Sequence, residues 1–445
     1  MIAIKYLPIS FAFVFLFIFV SSVLGAEGNA KAGPLRLLSL SDTLRLAHDN
    51  NLLMKMASQQ VLDAAGRKQI KDADLFPHIS LAASQMRVYK EDLDALGFPG
   101  GGMLGPFNTL DARAELSWRV FDLSAISRHQ EGIVEYRLAG FEQNLAHQQV
   151  TTIAVWAYLA VLKAQESLHA IAEDALLAKQ ILTLAHHQFD DGLAPAIDVT
   201  RAQARLSQEE FLYQQGDLNL EKSLLHLKHI TGLPLGDRVV LTDKMKFFGE
   251  KVLPLTEAVN TALNQRVEIQ ISGQEVQFAK DKLNEARAEN LPKVLFVTDF
   301  GRAGTDVSQK TQRVSEIGVR VKMPIFDGGA IRGDVKEAAA KKEEKEILKD
   351  DTQIQVEQDV RLALKTLLST KKQVVAARET VFLANQELKE ARNRLTSGIS
   401  DNLEVITAQT RLAQAKESYE EALTLYHLAR MNYYSAIGDI EHFYL

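Results

Sequence analysis

Carboxylates gather around two short turns in this chain, and they are the side chains best placed to act on a charged solute. Asp190 and Asp191 precede Gly192 and Asp198 follows it, while Asp401 and Glu404 follow Gly398 in a similar segment. If several copies surround a common axis, acids spaced this way ring an opening, attract cations and tune selectivity. The same acids suit the start of a helix, where a negative charge meets the positive end of the dipole, and for Asp198 and Glu404 both readings stand. His186-His187 and the pair His226 and His229 are the other polar candidates. An i, i+3 pair puts two imidazoles on one helical face, but no third ligand has a fixed spacing, so no metal site is expected. No Ser-His-Asp set, carboxylate pair or Gly-Lys-Ser/Thr turn has the spacing or context for catalysis, and neither an enzyme nor a cofactor is expected. The glycine-rich run from Phe98 to Phe107 lacks the Lys-Ser/Thr of a phosphate cradle and reads as a surface loop between strands. Lys341 to Glu346 reads as a solvated helical face with a Lys342–Glu346 pair.

The whole chain narrows what these acids can belong to. It has 445 residues, 46% hydrophobic and 24% charged, ten prolines, no cysteine and a formal net charge of −6. That length calls for several domains or one extended repeat architecture. Average hydrophobicity excludes a polytopic helical membrane protein. The lack of cysteine excludes disulfides, thiolate metal sites and a cysteine-linked lipid anchor. Near-balanced charge argues against a nucleic-acid partner. Residues 1–25 carry one positive charge, Lys5, then an apolar core and a small-residue exit through Val23 and Gly25, the pattern of a secretory signal peptide cut before Ala26. An uncleaved anchor helix over 7–24 is the alternative, only just long enough to span.

A repeat organises the remainder. Leu40 to Ala47 aligns with Leu255 to Ala262, and Phe76-Pro77 with Leu291-Pro292, at a lag of 215 residues. Val120 to Ile126 aligns with Ile325 to Ile331 at a lag of 205, and Asp198 to Leu206 with Glu404 to Leu412 at 206. Matches in the same order over this distance mark a tandem duplication, with repeats over 36–232 and 255–438, a linker over 233–254 and a tail over 439–445. Each repeat reads alike. A helix starts at the capping residue Ser41 or Thr256 and runs to Asp74 or Glu289. Pro77 or Pro292 then ends the helical pattern. Strands follow near 78–90 and 110–121, or 293–301 and 313–326. Very long helices over 125–189 and 331–395 break at the glycine turns, and a further helix runs to Gly232 or Gly438. A helix of that length extends roughly 98 Å, so a stiff coiled-coil-like body is expected.

The strands indicate what that body is attached to. Leu110, Ala112, Ala114, Leu116, Trp118 and Val120 alternate with Asp111, Arg113, Glu115, Ser117 and Arg119. Ile317, Val319, Val321, Met323 and Ile325 alternate with Glu316, Arg320 and Lys322. One apolar and one charged face suits a transmembrane barrel, with Leu116, Trp118, Val319 and Val321 as membrane-facing residues, and equally a soluble sandwich with one wet face. Four strands cannot close around a lumen and open edges are not tolerated in lipid, so a barrel requires copies to pool their strands; three copies give an even set of about twelve. Phe76, Phe107, Trp118, Phe121 and Phe326 near the strand ends fit interfacial girdles or core packing.

Duplicated helix–strand–strand–long helix–turn–helix halves, the Phe-Asp junctions and the glycine turns resemble the TolC-type outer-membrane efflux proteins. The most specific match is Arg394 to Val405, Arg-Leu-Thr-Ser-Gly-Ile-Ser-Asp-Asn-Leu-Glu-Val, followed by Ala408-Gln409 and Leu412. The resemblance covers the whole mature chain. It implies a mainly α fold with a transmembrane β part: a homotrimeric 12-stranded barrel, four strands per chain, continuing into a periplasmic α-helical coiled-coil tunnel. It also implies an exit duct in the outer membrane of a Gram-negative bacterium. The duct would serve a tripartite efflux or type I secretion system, in contact with outer-membrane lipid, a periplasmic adaptor and an inner-membrane transporter of the RND, ABC or MFS type. In the family two acids three residues apart can ring the closed tunnel mouth; here Glu404 takes the first position and Thr407 the second, with Asp401 the candidate for the missing charge. The turn residues Gly192, Leu193, Gly398, Ile399 and Ser400 are the expected adaptor-docking tips, because exposed loops on rigid helices suit recognition. The rival reading is a periplasmic or surface coiled-coil adaptor or structural protein without a barrel.

Overall fold

The structure, a computed structural model, describes residues 34–90, 104–192, 195–249, 252–305, 311–397, 399 and 402–445. The expected signal peptide and residues 98–103 of the glycine-rich run lie outside them. In chain order the elements are β1 (Leu35–Leu38), α1 (Leu40–Asn50), α2 (Leu52–Ala73), β2 (His78–Lys90), β3 (Leu104–Phe121), α3 (Leu123–Asp190) and α4 (Ala196–Thr231). Then come β4 (Arg238–Leu241), α5 (Leu255–Gln265), α6 (Val267–Ala288), β5 (Lys293–Gly304), β6 (Gln312–Lys322), α7 (Ala330–Thr396) and α8 (Asn402–Ala436).

The two long helices begin on the repeated Phe-Asp pair for a physical reason. Both aspartates satisfy backbone amides left open where strand becomes helix. The Asp122 carboxylate accepts from the amides of Ser124 at 3.0 Å and Ala125 at 3.2 Å. Asp327 accepts from Gly329 at 2.9 Å and Ile331 at 2.7 Å. Those backbone bonds, that from Ile331 foremost, hold the Asp327 carboxyl below its ordinary range. From these starts α3 runs 68 residues and α7 67, each roughly 100 Å long.

α2 and α6 lie against α3 toward the sheet, and α4 and α8 lie against α3 toward the far end. Three cores follow one another along the body. Around the middle, Val150, Ala154, Tyr158 and Leu162 of α3 close on Leu227 and Ile230 of α4 and on the strand residues Leu38, Val239 and Leu241. The second half repeats this with Val356, Val360, Leu367 and Val374 of α7 against Leu423, Tyr426 and Tyr433 of α8 and Ala258 and Ala262 of α5. At the tip, Ile181, Ala185 and Ala202 meet Ala384, Leu388, Val405 and Leu412. Alanines at these contacts let helix axes approach closely.

Several sequence expectations change in detail. The first helix of each half is two helices, broken at Asn51 (φ −61°, ψ 136°) and at Arg266 (φ −64°, ψ 131°). The cap of α1 is Ser39, in a capping box with Asp42, rather than Ser41; α5 follows Pro254 with no side-chain cap, so Thr256 is not one. The strand expected over 313–326 ends at Lys322, because Asp327 and two left-handed glycines, Gly328 and Gly329, already turn the chain toward α7. Residues 104–107 extend β3 rather than a loop. The linker contains β4, which pairs in parallel with β1 and ties the two halves at the middle of the body. α4 and α8 close as expected, near Gly232 (φ 68°) and Gly438 (φ 83°).

The four remaining strands form one antiparallel sheet in the order β2–β3–β5–β6, so a hairpin from each half is joined through β3 and β5. Gly301 permits that junction: a Cβ there would stand 2.1 Å from the carbonyl oxygen of Ala112.

Candidate functional site

Register sorts the sheet into two chemically different faces. Ile79 lies opposite Leu116, Leu116 opposite Thr298 and Thr298 opposite Ile317. The next row places Trp118, Phe296 and Val319 side by side, and Val294 pairs with Val321. The expected wall residues Leu116, Trp118, Val319 and Val321 therefore share one face. It is open in the single chain, with Leu81 84%, Ile317 76% and Val319 67% exposed. Val120 departs from the alternation, at a register shift between Arg119 and Phe121. The opposite face is ionic. Arg113 holds Asp111 at 2.6 Å on its own strand and Asp299 at 3.2 Å on β5. Among the described residues β2 and β6 each have a strand on one side only. A sheet with one exposed apolar face, one charged face and two unpaired edges is incomplete as a soluble unit.

Where the sheet meets the helices, aromatic and ionic groups form a collar. Phe76, Phe121 and Phe326 are exposed, and the indole N–H of Trp118 donates to the Leu75 carbonyl at 3.0 Å. Below them Asp74 bonds both Arg119 and Arg128. Burial would lift the Asp74 carboxyl, but these two guanidinia hold it below its ordinary range. One turn further, the fully buried Glu131 of α3 is 2.7 Å from Lys282 of α6 and 3.5 Å from Lys71 of α2. Burial raises the Glu131 carboxyl in spite of Lys282.

At the opposite end both turns converge on the shared tip core. Asp190 ends α3, and the Asp191 amide donates to the His187 carbonyl at 2.9 Å. Gly192 has φ 73°, a conformation that a Cβ disfavours. Asp198 lies in the first turn of α4, buried and 3.4 Å from Arg201. On α8, Val405, Ala408 and Leu412 belong to the core, Glu404 lies at its flank and Thr407 is exposed. Glu404 lies 3.4 Å from Arg394 of α7, and Thr407 donates its hydroxyl to the Leu403 carbonyl at 2.7 Å. Ile399 is exposed, its amide donating to the Arg394 carbonyl at 2.9 Å. Leu193, Gly398, Ser400 and Asp401 lie outside the described residues.

Sequence reasoning missed both ion pairs of this hairpin, Arg394 with Glu404 and Glu387 of α7 with Arg411 of α8. A signal was present: Glu387 and Arg394 are seven apart on α7, and Glu404 and Arg411 seven apart on α8. In antiparallel helices that spacing matches each acid to a base. The His226 and His229 pair lies at the end of α4 remote from the tip. His226 stacks edge-on against Trp156 at 5.8 Å, and no cluster of three or more His, Asp or Glu suited to a metal occurs among the described residues.

Known proteins resemble this chain over most of its length. The family model described as Outer membrane efflux protein matches residues 43–233 and 258–439. The alkaline protease secretion protein AprF of Pseudomonas aeruginosa is 22% identical, over 90% of this chain and 85% of its own length. The outer membrane protein TolC of Escherichia coli is 22% identical, over 91% of this chain and 85% of its own length. Among solved structures, the CmeC outer membrane channel of Campylobacter jejuni superposes with a TM-score of 0.81 at 21% identity, covering 90% of this chain and 86% of the channel.

Proposed function

The chain belongs to the outer membrane efflux protein family, and from that premise we propose how it works. It is an exit duct of efflux or type I secretion, placed in the outer membrane of a Gram-negative bacterium and extending into the periplasm. Three copies assemble head to tail around an axis, each β6 edge pairing with the β2 edge of the next copy. That pairing closes a barrel of three times four strands and leaves no edge in lipid. Leu116, Trp118, Val319 and Val321 face the membrane, and the Asp111–Arg113–Asp299 face lines the lumen. Exposed apolar rows on α2 and α4 at one side (Leu62, Ile70, Phe211) and on α7 at the other (Ile347, Leu362, Phe382) become the contacts between copies.

Substrate passes from an inner-membrane transporter and its periplasmic adaptor through the helical tunnel without covalent chemistry. Glu404, with Asp401 and the polar Thr407, forms the anionic constriction at the periplasmic mouth. The turns carrying Gly192, Leu193, Gly398, Ile399 and Ser400 dock the adaptor. One observation supports this reading above the rest: the sheet exposes an apolar face and two open edges at one end of a body roughly 100 Å long. A coiled-coil adaptor or structural protein would leave that face and those edges uncovered.

Fractionation tests the proposal. The protein should sediment with the outer membrane, need detergent for extraction, run as a heat-sensitive trimer and conduct ions in planar bilayers. A monomer released in aqueous buffer without detergent would overturn it.

A further inference from the structure

The outward face of the sheet does not stay apolar to its far end. Along β5 the outward positions are Val294, Phe296, Thr298 and Phe300, and the next is Arg302. Along β6 they are Val321, Val319, Ile317 and Ser315, and the next is Arg313. Arg302 and Arg313 are directly paired in the register, and both are exposed. Ala112 of β3 and Ala83 of β2 continue the same row with small side chains. Arg87, also exposed, stands on this face two rows further along β2.

The contrast with the lumenal face is chemical. Arg113, one register position away on the other face, is bound by two aspartates. Among the described residues no carboxylate pairs with Arg87, Arg302 or Arg313. Like charges directly opposed on neighbouring strands destabilise a sheet, so an anion held between these two guanidinia stabilises the pair. Position tells which anion. Val294 and Arg302 are eight residues apart, roughly 26 Å along the strand and about 20 Å along the membrane normal at the usual tilt. That places the two backbone positions a few ångströms inside the far edge of an apolar band about 25 Å tall, and side chains as long as arginine extend from there to the lipid headgroups.

We propose that Arg302 and Arg313 bind the phosphate groups of an anionic lipid headgroup in the outer leaflet, one site per protomer. The site rests on the barrel reading above. A guanidinium fork meets a phosphate through two parallel N–H···O bonds, and at the edge of a low-dielectric band such bonds are weakly screened. The lipid neutralises the opposed pair, and the pair fixes how deeply the barrel rides in the membrane.

The test uses full-length trimer purified in neutral detergent, titrated with bisphosphorylated lipid A and with its chemically dephosphorylated form, with bound lipid counted by native mass spectrometry. Up to three phosphorylated lipids per trimer are expected. Binding should fall at least tenfold for the dephosphorylated lipid and for Arg302→Gln/Arg313→Gln, with an intermediate loss for Arg302→Lys/Arg313→Lys, which keeps the charge and loses the fork. Equal binding by wild type and the Gln variant, or by both forms of the lipid, would overturn the site. Inorganic phosphate at millimolar concentration should not displace the lipid; displacement would identify a site for free phosphate instead. Channel conductance of the same preparations separates the two levels: a conducting trimer with unchanged lipid binding sinks only this inference, and a non-conducting wild type sinks the barrel reading beneath it.

Discussion

Arg394 in the last turn of α7 faces Glu404 in the first turn of α8, Nε 3.4 Å from Oε1, and one heptad up the hairpin Glu387 and Arg411 repeat the pair with the charges exchanged. Both pairs are largely exposed, so each holds the hairpin with no more than about 1 kcal/mol. Their larger effect is on the charge that the tip presents. In a trimer, Glu404→Ala removes three carboxylates from the periplasmic mouth, and Arg394→Ala removes three cations next to them. Reversal potentials in planar bilayers under a salt gradient should show lower cation selectivity for Glu404→Ala and higher for Arg394→Ala, with trimer stability changed by less than about 1 kcal/mol. Unchanged conductance and selectivity in Glu404→Ala would remove this residue from the mouth.

The turns carry a second prediction. Gly192 sits at φ 73° with no atom within 4 Å of where a Cβ would stand, so a substitution is opposed by backbone conformation and not by a clash. A side chain in the left-handed region costs roughly 1–2 kcal/mol, more for a β-branched one, and the turn would rearrange to avoid it. The tip core of Ala185, Ala202, Val405 and Ala408 does not include the turn, so the trimer should survive. The double variant Gly192→Val/Gly398→Val is expected to assemble normally, by heat-sensitive migration on gels, and to lose export in a cell-based resistance or secretion assay. Full export by that variant would show that the turns do not dock the adaptor.

Much of this architecture was legible in the sequence, and the reasons are physical. The long helices were readable because neither contains a proline, and their ends because a glycine turn follows each. That Leu116, Trp118, Val319 and Val321 share one face was readable because a strand alternates with period two and the duplication shows the same alternation twice. The break at Asn51 was not: besides the local cap its side chain makes by accepting from the Leu53 amide at 2.8 Å, it rests on a tertiary bond donated to the Ile230 carbonyl at 3.1 Å. β1 and β4 were missed because each is four residues long and pairs across some 200 residues of chain. The Glu387–Arg411 pair needed the antiparallel register of α7 and α8, which spacing alone does not supply until the turn is placed.

Acid should loosen the middle of the body through His427. Its ring is fully buried, with Nδ1 3.3 Å from Arg430, while the Arg430 guanidinium lies 4.1 Å from the centre of the Phe248 ring and 4.9 Å from that of Tyr444. Burial first, and the Arg430 charge second, hold the His427 imidazole down to about 4 from an ordinary 6.5. The unfolded chain therefore takes up a proton below 6.5 that the folded chain refuses until about 4, so the stabilisation is complete above 6.5 and is lost as pH falls through this window. The whole effect is roughly 3 kcal/mol. Asp174, Glu209 and Glu420 are raised by burial and act with the opposite sign, gaining stability on protonation. Comparing slopes isolates the histidine: between pH 6.5 and 4 the denaturation midpoint should fall more steeply for the wild type than for His427→Gln. Parallel slopes would refute the assignment.

Among the ion pairs of the collar that hold α2 and α6 against α3, one carboxylate is fully buried. Glu131 has no exposed surface, receives Lys282 at 2.7 Å and Lys71 at 3.5 Å, and leaves Oε1 without a hydrogen-bond partner. An ion at this depth is tolerable only while its counter-ions remain, because desolvation outweighs what a single partner returns. Lys71→Met/Lys282→Met therefore strands a buried charge and should cost about 3–5 kcal/mol, read as an earlier loss of the trimer on heating. Adding Glu131→Leu removes the stranded charge and should recover most of that loss, although three polar side chains are then gone. The recovery separates a charge effect from a packing effect. If the triple variant melts no later than the double, the collar is held by the shape of its side chains, and the barrel is not anchored to the tunnel through Glu131.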